Sequence, residues 1–366
     1  MKLLAIETSC DETAAAVLDV RMSPRRKGVA TASGKPAAGR GRSAGLPDSV
    51  VLSDVVASQI EDHAPYGGIV PELASRKHLT AILPVIRKAL ADAGCTLDDI
   101  GALAVTSGPG LVGSLLVGIQ AAKAIAHSRQ LPLIGVHHLA AHLLSSHLRR
   151  PTSSTPSPKF PYVALVVSGG HTALYVVRGP ERIRMLASTR DDAAGEAFDK
   201  VGKLLGLPYP GGPAIDQAAL GVDPGDLRFP RGLDRKDTLD FSFSGLKTAV
   251  ADLLRRRATP PSPDEVRRIA AAFQVSVVSS LVRKALAACA QTDIPRLTIG
   301  GGVAANGALR EELTRACAES GIELFLPLRS DCTDNAAMVG LAALPRLLRG
   351  EDDDGALAAR SGWPLG

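Results

Sequence analysis

His138 and His142 stand four residues apart in the segment His137-His-Leu-Ala-Ala-His142. On a helix that spacing puts both imidazoles on one face, where they can chelate a single ion. A third ligand has to come from elsewhere in the chain. Asp334, in Cys332-Thr-Asp-Asn335, opens the last long apolar stretch and reads either as that ligand or as an ordinary helix N-cap. Two imidazoles and a carboxylate with open positions suit Fe²⁺ or Zn²⁺. The bland alternative is a pair of surface histidines near a loop. A zinc peptidase of the HExxH type is disfavoured, because Leu139 holds the place of its catalytic glutamate.

Four small-residue turns could hold an anion: residues 9–13, 107–110, 168–172 and 300–306. Such turns present backbone N–H groups, and a following helix adds the positive end of its dipole. One alone would only turn the chain, whereas four of them favour a nucleotide. The first carries the acids Asp11 and Glu12, and the third is Ser168-Gly169-Gly170-His171-Thr172. Asp199 and Asp216 each lie in or beside a short helix; they read as caps, as solvated charges, or as acceptors for ribose hydroxyls. Neither GxxxxGK[ST] nor a strand-placed GxGxxG occurs, which removes P-loop and Rossmann readings.

The elements around these turns recur. Residues 3–6 and 14–18 read as two strands about the first turn, and 162–167 and 173–177 as two strands about the third. Each pair is followed later by strand, glycine loop and helix: 102–106 into 111–128, and 296–299 into 307–320. A strand at 133–136 leads into the histidine pair, and Pro71 and Gly94 bracket a further helix. The pattern predicts two similar α/β lobes facing each other across a cleft. The expected division is 1–134 and 135–346, with the tail 347–366 packing on the first lobe.

Three further readings set the setting. The chain has 366 residues, 45% hydrophobic and 22% charged, a globular composition sized for about two domains. Its net charge is +5, but residues 21–49 alone hold seven basic residues and one acid and contribute +6. That Gly/Ser/Pro-rich stretch reads as a solvated insertion or as a basic arm for phosphates. Five cysteines form no CxxC pair, and only four apolar residues separate Lys2 from Glu7, so a reducing, cytoplasmic setting without a signal peptide is expected. The longest apolar candidate, residues 111–126, is broken by Ser114, Gln120 and Lys123, so no membrane span is expected.

The ordered motifs resemble those of the tRNA N6-adenosine threonylcarbamoyltransferase (TsaD) family, formerly described as O-sialoglycoprotein endopeptidases. They include Glu7-Thr-Ser-Cys-Asp-Glu-Thr13, Tyr66-Gly-Gly-Ile-Val-Pro-Glu-Leu-Ala-Ser-Arg76, Gly108-Pro-Gly-Leu-Val-Gly-Ser-Leu-Leu-Val-Gly118 and the histidine segment. Val167-Ser-Gly-Gly-His-Thr172, Asp192-Ala-Ala-Gly-Glu-Ala-Phe-Asp-Lys200, Phe241-Ser-Phe-Ser-Gly-Leu-Lys247, Gly301-Gly-Val-Ala-Ala-Asn306 and Cys332-Thr-Asp-Asn335 complete them. The resemblance implies the two-lobed actin-like, sugar-kinase and heat-shock ATPase fold. It implies one iron ion held by His138, His142 and Asp334, with zinc the alternative. An adenylate is implied around Val166, Val167, Ser168, Gly169, Gly170, Asp199, Gly212, Asp216 and Asn306. Ala140-Ala141 stands where the family more usually has Glu-Gly, and the basic insertion is longer than usual.

The implied reaction moves the threonylcarbamoyl group from L-threonylcarbamoyl-adenylate to N6 of the adenosine 3′ to the anticodon (tRNA position 37) and releases AMP. Asp11 or Glu12 is the candidate proton acceptor. The implied partners are tRNA, TsaB-type and TsaE-type proteins, and a TsaC-type enzyme that supplies the adenylate. The rivals are an ATP-dependent kinase or ATPase of the same fold, a metallopeptidase, and a non-catalytic nucleotide-binding scaffold.

Overall fold

The computed structural model describes residues 1–21, 45–151, 156–233 and 237–365. Most of the basic insertion therefore lies outside the described residues. Its two ends meet: Arg21 N–H donates to the Asp48 carbonyl at 3.0 Å, between β2 and β3.

Ten strands and ten α-helices are described. They run β1 (Lys2–Glu7), β2 (Glu12–Val20), β3 (Ser49–Ser58), α1 (Ile60–His63), α2 (Pro71–Asp92), β4 (Ile100–Gly108), α3 (Val112–Arg129), β5 (Leu133–His137) and α4 (His138–Leu144). The second half holds β6 (Tyr162–Val167), β7 (Thr172–Gly179), β8 (Arg182–Ser188), α5 (Ala194–Leu204), α6 (Gly211–Ala219), α7 (Ser244–Arg255) and α8 (Pro263–Thr292). It ends with β9 (Arg296–Gly300), α9 (Gly307–Glu319), β10 (Glu323–Phe325) and α10 (Ala336–Leu348).

The strands form two five-stranded sheets, ordered β3-β2-β1-β4-β5 and β10-β9-β6-β7-β8. Read from β1 and from β6, the two orders are the same. Each has an antiparallel meander on one side and two parallel strands on the other. These are the two similar α/β lobes that the repeated turns predict, arranged on the duplicated actin-like plan that the resemblance implies. The parallel strands β1, β4, β6 and β9 end at the turns singled out above and β5 at the histidine pair, at the carboxyl ends where open α/β sheets bind ligands.

The lobe boundary expected at 134/135 falls inside β5, all of which belongs to the first sheet. Likewise α10, expected in the second lobe, packs its Ala336, Met338, Leu341 and Leu344 into the core beside β1, β2, β4 and β5. The chain thus returns to its first lobe for the last long helix. That helix is apolar on most of its surface because it is buried against this sheet face, with Ala141 and Leu144 of the segment after β5 packed beside it.

The longest apolar helix is α8, not α3. It has the length and composition of a membrane span, but 78% of its apolar window is buried. Its residues, among them Phe273, Val277 and Leu281, fill the core behind β6 and β9. A capping box, Ser262 with Glu265, starts it.

Candidate active site

α4 is seven residues long, and the sequence gives it three faces. Leu139 and Leu143 enter the core on β6 and β7; Ala141 and Leu144 enter the core under β4 and β5. The helix is wedged between the two sheets, and the remaining face carries His138 and His142. Their rings meet edge to face at 4.7 Å. Both Nε2 atoms turn toward one carboxylate oxygen. His142 Nε2 lies 3.0 Å and His138 Nε2 3.6 Å from Asp334 Oδ1. One ligand atom from each of the three residues falls within 4.8 Å of the others, a compact N/N/O set. Asp334 does not cap α10, because Asn335 does, its side chain accepting from Met338 N–H.

Behind His138 stands a residue the sequence reading passed over. Glu7, the last residue of β1, is fully buried. Its Oε2 accepts from His138 Nδ1 at 3.2 Å and from the Thr106 hydroxyl at 2.5 Å, while Oε1 accepts from Ser9 N–H at 2.5 Å. A carboxylate on Nδ1 leaves Nε2 free to ligate and fixes the ring, the usual support for a metal-bound histidine. The signal was present: a carboxylate ending a strand directly after four apolar residues. Burial works against a charge on His138, but Asp334 and Glu7 together hold its pKa up at about 9. Burial would raise Asp334, yet the two histidines outweigh it and hold this carboxyl below the usual range.

The triad opens on a cleft of about 1,890 Å³. Its walls include Asp11 and Glu12 from the first lobe, and Ser168, Gly169, Gly170, Asp199, Gly212, Asp216 and Asn306 from the second. His138 and Asp334 line it as well, and His142 sits behind them, 1% exposed. Val166 and Val167 do not face it; their side chains fill the cores on opposite faces of β6. Burial, then Asp11 and Asp334, pushes the Glu12 carboxyl well above its ordinary value.

The second-lobe wall is built by close backbone contact. A Cβ on Gly195, in the first turn of α5, would lie 2.6 Å from the Ser168 carbonyl, so only glycine lets α5 start against this turn. Asp199, on α5, accepts from Gly211 N–H at 2.8 Å and so caps α6. Asp216, on α6, accepts from Gly307 N–H at 2.9 Å at the start of α9. The two acids are thus caps of neighbouring helices and cleft-lining groups at once. Asn306 caps its own helix, accepting from Leu309 N–H at 2.9 Å and donating to Gln274 Oε1 at 2.9 Å. Tyr209 and His171, which the sequence reading did not single out, also line the cleft.

The family model for tRNA N6-adenosine threonylcarbamoyltransferase (TsaD) matches residues 50–341. A protein of that name from Syntrophus aciditrophicus is 47% identical over 365 residues, covering 100% of this chain and 98% of its own. One from Sorangium cellulosum is 49% identical, covering 96% of this chain and 94% of its own. Among solved structures, component A of the Acidaminococcus fermentans (R)-2-hydroxyglutaryl-CoA dehydratase superposes with a TM-score of 0.51 at 13% identity, over 94% of this chain and 98% of its own. At that identity the likeness speaks to the fold alone.

Proposed function

This chain belongs to the tRNA N6-adenosine threonylcarbamoyltransferase family, and from that premise we propose how its cleft carries out the transfer and with which helpers. The observation that carries the reading is the convergence of His138, His142 and Asp334 on one point of a cleft wall that faces a glycine turn. The donor chemistry, two imidazoles and one carboxylate, fits Fe²⁺ or Zn²⁺, and iron is our reading. When bound, the ion supplies Lewis acidity and a fixed template for a carbonyl substrate.

The donor is threonylcarbamoyl-adenylate, and the acceptor is the adenine N6 amine 3′ to the tRNA anticodon. The N6–carbon bond forms, the bond from that carbon to the phosphate oxygen breaks, and AMP leaves with the electron pair. An aromatic amine is a weak nucleophile, so positioning carries much of the rate. The turn 168–171 and the start of α5 orient the phosphate. Asp199 and Asp216, each already accepting a backbone N–H, offer their remaining lone pairs to the ribose. Glu12, its pKa raised, takes the proton that N6 gives up, and Asp11 beside it lines the same wall. TsaB-type and TsaE-type proteins act with the chain, a TsaC-type enzyme supplies the adenylate, and the setting is the cytoplasm.

The test is reconstitution with purified adenylate, unmodified tRNA and the partner proteins. Modified adenosine and AMP should appear in equal amounts. Modification that required ATP cleavage by this chain, with the adenylate untouched, would move it to the kinase reading.

A further inference from the structure

Beyond α10 the chain runs back along the open edge of the first sheet. Asp352 accepts from Leu133 N–H at 2.9 Å and Asp353 from Gly135 N–H at 2.8 Å, while Arg346 donates to the Gly135 carbonyl at 3.1 Å. Groups that an edge strand leaves unpaired are here taken up by the chain's own tail. Farther on, Arg360 N–H donates to the Ser107 carbonyl at 2.8 Å. The Arg360 carbonyl presses so closely on Gly108 (φ +153°) that a side chain there would collide with it.

The tail then meets His137, the last residue of β5 and the N-cap of α4. His137 Nδ1 accepts from Leu139 N–H at 3.2 Å, and Nε2 lies 2.9 Å from the Trp363 carbonyl. With Nδ1 accepting, the proton sits on Nε2 and is donated to that carbonyl. The indole lies 4.7 Å from the imidazole and carries the Arg360 guanidinium on its other contact at 4.5 Å. The next residue is His138. His138 stands in the first turn of this seven-residue helix, directly after the cap, so the bonds that fix His137 add to the core packing of α4 in setting the ring that follows.

We propose that residues 360–363 form a clamp that acts through His137, a positioning residue, to hold α4 with His138 and His142 turned toward Asp334. The proposal rests on the metal reading above. It makes the tail, distant in sequence, part of what sets metal affinity.

The experiment measures Zn²⁺ affinity by chelator competition on four proteins: the full chain, His137→Asn, a chain lacking residues 361–366, and the two changes combined. Asparagine places its Oδ1 near the position of Nδ1 and keeps the cap, but falls short of the Trp363 carbonyl. Each single change should weaken Zn²⁺ binding by about 10–100-fold. The combination should lose little more than either, because both break the same link. The metal-free proteins should unfold within a few degrees of the full chain. Unchanged affinity in His137→Asn would overturn the clamp, as would a lowered unfolding midpoint with unchanged affinity, or losses that simply multiply. If the shortened chain fails to fold, His137→Asn in the full chain decides the matter. His138→Ala is the control: if it abolishes binding while His137→Asn does nothing, the clamp alone fails. If His138→Ala binds Zn²⁺ normally, the clamp falls together with the metal reading.

Discussion

Replacing Glu7 by glutamine exchanges one oxygen for an amide nitrogen at a site with no exposure. The carboxylate accepts three hydrogen bonds, one at Oε1 from Ser9 N–H and two at Oε2 from Thr106 and His138 Nδ1. Glutamine has two orientations there, and neither keeps all three. With its NH₂ toward Ser9, two donors face each other. With its NH₂ toward His138, Nδ1 has to accept, and the imidazole proton moves to Nε2, the atom that faces Asp334. The first orientation leaves a buried N–H unpaired at a cost of about 1–3 kcal/mol. The second blocks the ligand atom itself. Metal affinity should fall by about 10–100-fold, which is about 1.4–2.8 kcal/mol. Chelator competition reads this, and thermal unfolding of the metal-free protein should show a lower midpoint. A Glu7→Gln protein that binds Zn²⁺ and unfolds like the wild type would refute the assignment of Glu7 as support for His138.

Further outcomes follow from the same geometry. In the metal-free protein the His138 pKa stands at about 9, against 6.5 for an ordinary histidine, so this group's stabilisation is full below about pH 6.5 and lost as the pH rises through 9. Loading Zn²⁺ near neutral pH should accordingly release about one proton, measurable in a weakly buffered titration; uptake without release would contradict the protonated ring. Asn306→Ala removes the cap of α9 and the bond to Gln274, so it should cost about 1 kcal/mol of stability and weaken adenylate binding by about 5–30-fold. Unchanged affinity for the adenylate would reduce Asn306 to a cap. Excising residues 22–44 while keeping Arg21 and Asp48 should leave the fold intact and flatten the salt dependence of tRNA binding by about 0.7–0.9 log units per lost phosphate contact. An unchanged slope would make the segment a plain connection.

What the sequence revealed and what it hid divide along physical lines. Strand ends and small-residue turns are local features, and both hairpins, β4, β5, β9 and their glycine loops lie within a few residues of where the pattern puts them. The histidine spacing is local too, and so are the acids of the first turn. Glu7 is not local: its meaning depends on β1 lying beside β4 and ending opposite α4, with Thr106 and His138 about a hundred residues away. The same holds for α10, whose apolar surface indicates burial without saying against which sheet. For Asp199 and Asp216 the sequence leaves caps, solvated charges and ribose acceptors open; each caps a helix other than its own, and so it can also line the cleft.

The duplication carries the last step. Two lobes with one strand order bring equivalent hairpin turns to the same cleft, residues 9–11 from one and 168–171 from the other. Equivalent backbones do not mean equivalent chemistry, because the side chains differ. The first turn sets Asp11 and Glu12 beside the triad, with Glu7 just behind, so that wall is crowded with carboxylates and favours a cation and a proton. The second turn carries only Ser168, two glycines and His171, with no acid among them; the Ser168 and His171 N–H groups bond within the turn, and the open space over Gly169 and Gly170 is the part of that wall that favours an anion. A substrate with a phosphate at one end and a carbonyl carbon at the other has one sensible direction across such a cleft. On the proposed reading the phosphate lies on the second lobe, and the carbamoyl carbon faces His138, His142 and Asp334.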